Sequence, residues 1–226
     1  MFEIKSLTKM YSPKTGIRDI SLSISHGQVV AFIGPNGAGK STLFNILGRI
    51  LHADSGVCTL DNAPLNSLHI SQIGFLPEVM YFLEDFTPMQ MIHFVNTMRE
   101  MGSTSSEIDE LIHHFSITEY AHKSISDLSL GMRRRVELAC TFLGSPKLIV
   151  LDEPLNSLDI QGVLAFKDML KICKERGQIV LLSSHILDVL DSITNQVVFL
   201  KQGEIVGVYD NETERIEDVY RKVFGL

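Results

Sequence analysis

The chain has 226 residues, 45% of them hydrophobic and 21% charged, which is enough to bury the core of one ordinary domain. Its 27 acidic and 20 basic residues give a net charge of −7, which argues against a broad basic surface for nucleic acid. The three cysteines form no CxxC pair, so neither a disulfide framework nor a zinc site is indicated. The N-terminus lacks a signal-peptide pattern, and no run of about 18 apolar residues occurs. We therefore expect a protein of the reducing cytosol.

Short apolar or β-branched runs make the first third of the chain strand-rich. They cover residues 2–7, 22–24, 28–33, 57–60 and 73–76. At Thr87 the pattern changes, because Thr87, Pro88 and Gln90 form a capping box with proline at the first helical position. Helical periodicity then continues to about Gly144. This middle section predicts an inserted helical lobe.

The last third of the chain has the order strand, helix, strand. Two compact apolar runs, residues 147–151 and 178–182, flank a helical segment over 159–176. That order predicts parallel strands and an α/β core. Residues 196–208 predict a β-hairpin, and a last short helix is expected from Thr213.

The most specific motif lies between the strand-like run 28–33 and a helical pattern. It consists of Gly34, Pro35, Asn36, Gly37, Ala38, Gly39, Lys40, Ser41 and Thr42. Glycines allow successive backbone N–H groups to point at an anion, Lys40 can reach terminal phosphates, and the Ser41 hydroxyl can ligate Mg²⁺. The helix that follows adds its positive N-terminal end. The motif predicts a nucleotide phosphate site, with a simple loop and helix cap as the alternative.

Two carboxylates, Asp152 and Glu153, follow the apolar run 147–151. A phosphate-binding fold needs a Mg²⁺ ligand and a base for water at such a position, and Asp152 suits the metal while Glu153 suits the base. A carboxylate at a strand end is also a common turn residue. The functional interpretation therefore depends on the Lys40 motif.

With these motifs in this order, the chain resembles the ATP-binding subunits of ABC transporters over nearly all of its length. The resemblance implies an α/β fold: a P-loop NTPase ABC ATPase core with an N-terminal antiparallel β subdomain and an inserted α-helical subdomain. It implies one domain over residues 1–226, with the core in 1–85 and 145–226 and the helical lobe in 86–144. ATP and Mg²⁺ are the implied cofactors.

The resemblance also assigns residues outside these two motifs. Tyr11 falls where the family carries an aromatic that stacks on adenine, with an exposed surface tyrosine as the alternative. Glu78 takes the position of the family's Gln loop, whose side chain reaches Mg²⁺ and the attacking water. An ionised Glu accepts hydrogen bonds but donates none, which leaves its coupling role open. His185 matches the switch histidine that senses the γ-phosphate and positions water.

Residues 128–132 correspond to the ABC signature, with Leu130 and Met132 where many members carry Gly and Gln. Ser129 and Gly131 keep the positions that face phosphate in the family. This variant is similar to exporters whose permease is a separate chain.

Three consecutive arginines, Arg133–Arg135, follow the signature. We interpret Arg133 and Arg134 as a solvated charge run, in which Arg133 has the i,i+4 spacing to pair with Glu137. Arg135 falls on a basic position that recurs in the family. Asp159 resembles the D-loop aspartate, and it equally suits the cap of the next helix.

The resemblance finally implies partners. In the family two ATPs lie between two head-to-tail subunits, so Lys40, Glu153 and His185 of one chain would meet Ser129 and Gly131 of a second copy or a homologous ATPase. The implied function is a motor subunit, cytoplasmic and peripheral at the inner face of the cell membrane, that drives export through a separate permease without nucleic acid as a partner. Two alternatives remain: a non-transport ABC ATPase of DNA repair, chromosome structure or translation, and a nucleotide-binding regulator without turnover.

Overall fold

The structure is a computed structural model that describes residues 1–211 and 215–225. The predicted start of the last helix, Thr213, lies outside the described residues, and the helix in this region spans Ile216–Phe224. Among the described residues, no helix combines the length and apolarity needed to cross a bilayer.

Strands dominate the first third of the chain and helices the middle section, and both kinds of element are mixed in the last third. In chain order the strands are β1 (Phe2–Ser12), β2 (Thr15–Ile24), β3 (Val29–Ile33), β4 (Ser55–Leu60), β5 (Ala63–Pro64), β6 (Ile73–Leu76), β7 (Leu148–Leu151), β8 (Ile179–Ser183), β9 (Gln196–Lys201) and β10 (Glu204–Asp210). The helices are α1 (Lys40–Leu47), α2 (Pro88–Met98), α3 (Ser105–His114), α4 (Leu130–Phe142), α5 (Ile160–Glu175), α6 (Leu187–Ile193) and α7 (Ile216–Phe224).

These strands form two sheets. The first is antiparallel, in the order β2-β1-β4-β5, and the second has the order β10-β9-β3-β8-β7-β6. In the second sheet all neighbours are parallel except β9 and β10. The predicted α/β fold with an N-terminal antiparallel part is confirmed.

The central strands are buried on both faces. In β3, Val30 and Phe32 face a core shared with the antiparallel sheet and α1, whereas Val29, Ala31 and Ile33 face a second core. The same alternation holds in β7 and β8. A continuous apolar run is therefore what these strands need, because neither face meets water.

Side-chain caps begin the helices of the middle section. Thr87 Oγ1 accepts a hydrogen bond from the Gln90 N–H at 3.2 Å, and Gln90 Oε1 accepts one from the Thr87 N–H at 2.9 Å, which confirms the predicted capping box. Ser129 caps α4 by accepting a hydrogen bond from the Met132 N–H at 3.2 Å. Helix α4 packs tightly on β6, since a Cβ at Gly74 would lie 2.6 Å from the Thr141 carbonyl oxygen. The packing of α4 on β6 thereby fixes the position of Ser129 and Gly131 relative to the six-stranded sheet.

Four adjacent parallel strands, β3, β8, β7 and β6, end at one edge of the sheet. Their last residues are Ile33, Ser183, Leu151 and Leu76. The polar segments that follow therefore emerge side by side, which is where open parallel sheets bind ligands.

Candidate functional site

The loop between β3 and α1 takes a conformation that glycine favours. Gly37 and Gly39 have φ values of 78° and 102°, in the left-handed region. A Cβ on Gly39 would also lie 2.7 Å from Ile17 Cγ2. Lys40 begins α1, is largely buried, and donates hydrogen bonds from Nζ to the carbonyl oxygens of Gly34 at 2.6 Å and Pro35 at 3.4 Å.

Asp152 and Ser183 join the ends of β7 and β8. The buried Asp152 accepts a hydrogen bond from the Ser183 hydroxyl at 2.6 Å, and its own N–H donates to the Leu76 carbonyl at 2.8 Å. The Ser183 oxygen accepts a hydrogen bond from the Glu153 N–H at 2.9 Å. Ser183 thus holds both acidic positions. Ser183 was not among the residues predicted for the site, although a serine that closes an apolar strand two residues before His185 was a usable signal.

Glu153 is a buried carboxylate in an unusual backbone conformation. It is 5% exposed and has a φ of 50°. Its Oε1 lies 3.0 Å from His185 Nε2, but neither carboxylate oxygen has a hydrogen bond of normal geometry with the described residues. Burial raises the pKa of Glu153; Asp152 and Glu78 act in the same direction, while His185 and Lys40 oppose it.

These groups surround one cleft of about 410 Å³. Most of the predicted residues line it: Asn36, Gly37, Ala38, Gly39, Lys40, Ser41, Thr42, Glu78, Asp152, Glu153 and His185. Burial lowers the pKa of Lys40, against the opposing charges of Glu153, Asp152 and Glu78. The hydroxyl and carboxylate oxygens suit Mg²⁺, and the loop with the N-terminus of α1 suits phosphate. The residues present therefore fit a magnesium nucleotide.

Tyr11 lies at the rim of this region. It is 55% exposed near the end of β1, and Thr15 and Gly16 of the same hairpin line the cleft. Tyr11 itself is not among the lining residues, so its contact with adenine remains a prediction.

Ser129 and Gly131 lie elsewhere. With Met132, Arg135, Ser157 and Asp159 they line a separate cavity of about 850 Å³, none of whose described lining residues is shared with the first cleft. Within one chain, the structure does not bring Ser129 and Gly131 to the loop between β3 and α1.

Arg134 is not a solvated charge, and that interpretation is wrong. Its side chain is buried: Nη1 lies 2.6 Å from Glu137 Oε2, and Nη2 donates to the carbonyl oxygens of Asp152 at 3.1 Å and Glu153 at 2.6 Å. Burial raises the pKa of Glu137, and the Arg134 charge opposes this shift. The periodicity of the helix could not show this, because the carbonyl oxygens that Arg134 contacts belong to the segment after β7.

The two neighbouring arginines contact other segments. Arg133 donates to the carbonyls of Ser126 at 3.0 Å and Leu128 at 3.2 Å and lies 3.7 Å from Glu84, so its expected pairing with Glu137 is wrong. Arg135 pairs with Asp159, whose Oδ1 also caps α5 by accepting the Gly162 N–H at 2.8 Å. Each of the three arginines therefore contacts a different segment.

The sequence profile of the ABC transporter family matches residues 17–156. The uncharacterized ABC transporter ATP-binding protein YhcH of Bacillus subtilis is 32% identical over 225 residues, which covers 96% of this chain and 72% of that protein. The lantibiotic transport ATP-binding protein SrtF of Streptococcus pyogenes is 30% identical over 222 residues and covers 97% and 96%. The chain therefore belongs to the ABC transporter family of ATP-binding proteins, a family of ATPases.

Solved structures share the fold. An ATP-binding subunit of an ABC transporter has a TM-score of 0.89 at 23% identity, with 99% of each chain covered. A dimeric ATP-binding cassette in a post-hydrolysis state, bound to ADP and Pi, has a TM-score of 0.82 at 23% identity and covers 95% of this chain and 100% of that one.

We predict that Glu153→Gln raises the free energy of unfolding of the nucleotide-free protein at neutral pH. Because the folded-state pKa of Glu153 is raised, its ionised form disfavours folding, and this penalty develops as pH rises from the unfolded value of about 4.3 through the folded one. Urea unfolding in EDTA at pH 4 and pH 7.5 measures the difference.

Glu107→Gln is the matched control of opposite sign. The Thr104 N–H hydrogen bond lowers the pKa of Glu107, so its charge stabilises the fold at neutral pH and this contribution shrinks on acidification. We therefore expect Glu107→Gln to destabilise at pH 7.5. An equal gain from Glu153→Gln at both pH values would contradict the raised pKa.

Proposed function

We propose that this chain is the ATP-hydrolysing motor subunit of an exporter whose permease is a separate polypeptide. The observation that carries the proposal is the convergence of Lys40, Ser41, Asp152, Glu153 and His185 on one cleft at the carboxyl edge of the parallel sheet. The named transport role of SrtF favours a transporter over a non-transport ATPase. In this proposal the subunit is cytoplasmic and held at the membrane through the permease.

The cleft residues divide the work of hydrolysis. Lys40 and the first turn of α1 hold the terminal phosphates, while Ser41 and Asp152 hold Mg²⁺, with Glu78 as a further oxygen ligand. Bound Mg²⁺ supplies positive charge that offsets the charge on the phosphate oxygens. Tyr11 stacks on the adenine ring. These assignments use the loop conformation and the oxygen donors that line the cleft.

Glu153 is the base in this proposal. Its carboxylate is buried and its oxygens are available to accept a proton from water. Burial raises its pKa toward the neutral range in which a base works best. His185, exposed and 3.0 Å from the carboxylate, orients the same water and contacts the γ-phosphate.

Complete sites need a second copy or a homologous ATPase. The signature residues line a different cavity from Lys40, so a head-to-tail dimer is required to place Ser129 and Gly131 on the partner's phosphates. Leu130 between them is 72% exposed, as expected for an apolar side chain that a partner covers. The dimeric cassette of similar fold supports this arrangement.

The permease is proposed to bind the connector 79–86 between β6 and α2. Tyr81 is 90% exposed, and Val79 and Leu83 are also exposed. Phe82 and Phe86 are instead partly buried and pack against the core that contains Val29, Ala31 and Ile33. The exposed apolar side chains provide an anchor for a partner, and Glu78 connects the same segment to the nucleotide cleft.

The first test of function is turnover. Glu153→Gln is expected to retain ATP binding and to lower Mg²⁺-dependent phosphate release by roughly 10²- to 10⁴-fold, the usual contribution of a positioned base. Lys40→Ala should instead weaken ATP binding, measured by equilibrium dialysis. Normal turnover by Glu153→Gln would refute the assignment of the base, and no turnover by the parent would favour a regulator.

The second test is oligomeric state. Glu153→Gln with ATP should accumulate a dimer in light scattering, because hydrolysis is what reopens the interface, and ADP should leave it monomeric. Adding Ser129→Arg, which places a bulky charge at the signature, should abolish the dimer. A dimer that persists with this second substitution would show that the contact does not use the signature.

The third test concerns the connector. Tyr81→Ser should reduce co-purification with a permease co-expressed from the neighbouring coding sequence, while leaving folding and basal turnover intact. Val57→Ser, an exposed position on β4, should leave co-purification unchanged. Phe82→Ser should also lower stability, because its ring packs on the core. Unchanged permease binding by folded Tyr81→Ser would place docking elsewhere.

A further inference from the structure

Arg134 connects helix α4 to the segment that carries the acidic residues. It is 5% exposed, and its guanidinium reaches three consecutive carbonyl oxygens: Asp152 at 3.1 Å, Glu153 at 2.6 Å and Pro154 at 3.4 Å. Glu137, one turn along α4, lies 2.6 Å from Nη1 and balances the charge. A planar fork of donors suits this set of acceptors, and an ammonium group would not.

The segment that Arg134 contacts needs support. Glu153 has a φ of 50°, a backbone conformation that side-chain-bearing residues adopt rarely and keep only when their surroundings impose it. Its N–H donates to Ser183 Oγ at 2.9 Å and its carbonyl accepts from Arg134 at 2.6 Å. The backbone of Glu153 is therefore held on both sides, and the direction of its carboxylate follows from that.

We infer that Arg134 is a positioning residue for hydrolysis, which acts by holding the main chain of Asp152–Pro154 so that Glu153 points into the phosphate cleft. The inference rests on the proposed function. It adds a role to α4: the helix capped by Ser129 also carries the group that orients the base of its own chain. Arg134 and Ser129 are five residues apart, about 8 Å along the helix axis.

Arg134→Lys separates this role from simple charge balance. Lysine keeps a positive charge beside Glu137 but replaces the fork with a single donor centre. We expect kcat to fall by roughly 10- to 10²-fold, the effect of a small misplacement of a catalytic group. The KM for ATP and the ATP affinity in equilibrium dialysis should change less than about twofold, because Arg134 does not line the cleft.

A second variant guards against a folding defect. In the double variant Arg134→Met with Glu137→Leu, an apolar pair replaces the buried ion pair, a change that commonly preserves stability. It should be folded and show the same loss of kcat. Leu65→Ala, a cavity in the core beside the antiparallel sheet, is the stability control and should keep the parent kcat below its unfolding temperature.

Combining Arg134→Lys with Glu153→Gln tests whether Arg134 acts through Glu153, which a merely structural role would not require. If Arg134 acts through Glu153, Arg134→Lys causes no further loss of single-turnover rate in the Glu153→Gln background. If the two losses of single-turnover rate multiply in the combined variant, the inference about Arg134 is overturned. It is also overturned if both Arg134 variants keep the parent kcat while Glu153→Gln is impaired. Either result leaves the proposed function standing. Lack of hydrolysis by the parent would overturn the proposed function, full turnover by Glu153→Gln would overturn the assignment of the base, and either result would overturn this inference with it.

Discussion

Parallel pairing of β3, β8, β7 and β6 is the constraint on which the site depends. Because these neighbours run in one direction, a single edge carries the loop between β3 and α1, His185, the two carboxylates and Glu78, although they are far apart in the chain. Burial on both faces fixes the register, since a slip of one residue would turn Val30 and Phe32 into the wrong core. The packing of the sheet thus determines the geometry of the cleft.

The electrostatics of the cleft oppose folding and favour a ligand. Three carboxylates, Glu78, Asp152 and Glu153, share it with Lys40 and His185. Ser183 satisfies one oxygen of Asp152, but the buried Glu153 carboxylate is not compensated in this way. Burying an ionised group without hydrogen bonds is unfavourable. The protein retains this unfavourable arrangement at the place where our proposal puts a divalent cation and a reacting water.

The sequence predicted most of this architecture because its signals are local. Apolar runs marked β3, β6, β7 and β8 of the six-stranded sheet, a predicted hairpin covered β9 and most of β10, and the capping box at Thr87 marked the start of α2. The roles of Ser183 and Arg134 depend instead on contacts between distant segments. Helical spacing suggested Glu137 as a partner for Arg133. It could not show that the Arg134 side chain is buried and donates hydrogen bonds to the main chain of residues 152–154. Pairing between elements is information that local periodicity does not contain.

The buried pair of Arg134 and Glu137 also constrains how this sequence can change over time. Replacing one member leaves the other charge buried without its partner, which lowers the free energy of unfolding by about 3–5 kcal/mol. Replacing both with apolar side chains often leaves the stability of the fold unchanged. Drift from the charged to an uncharged pair must therefore pass through an intermediate that lies close to the limit of stability of an ordinary domain. Positions 134 and 137 are expected to vary together among descendants of this protein, as one inherited unit.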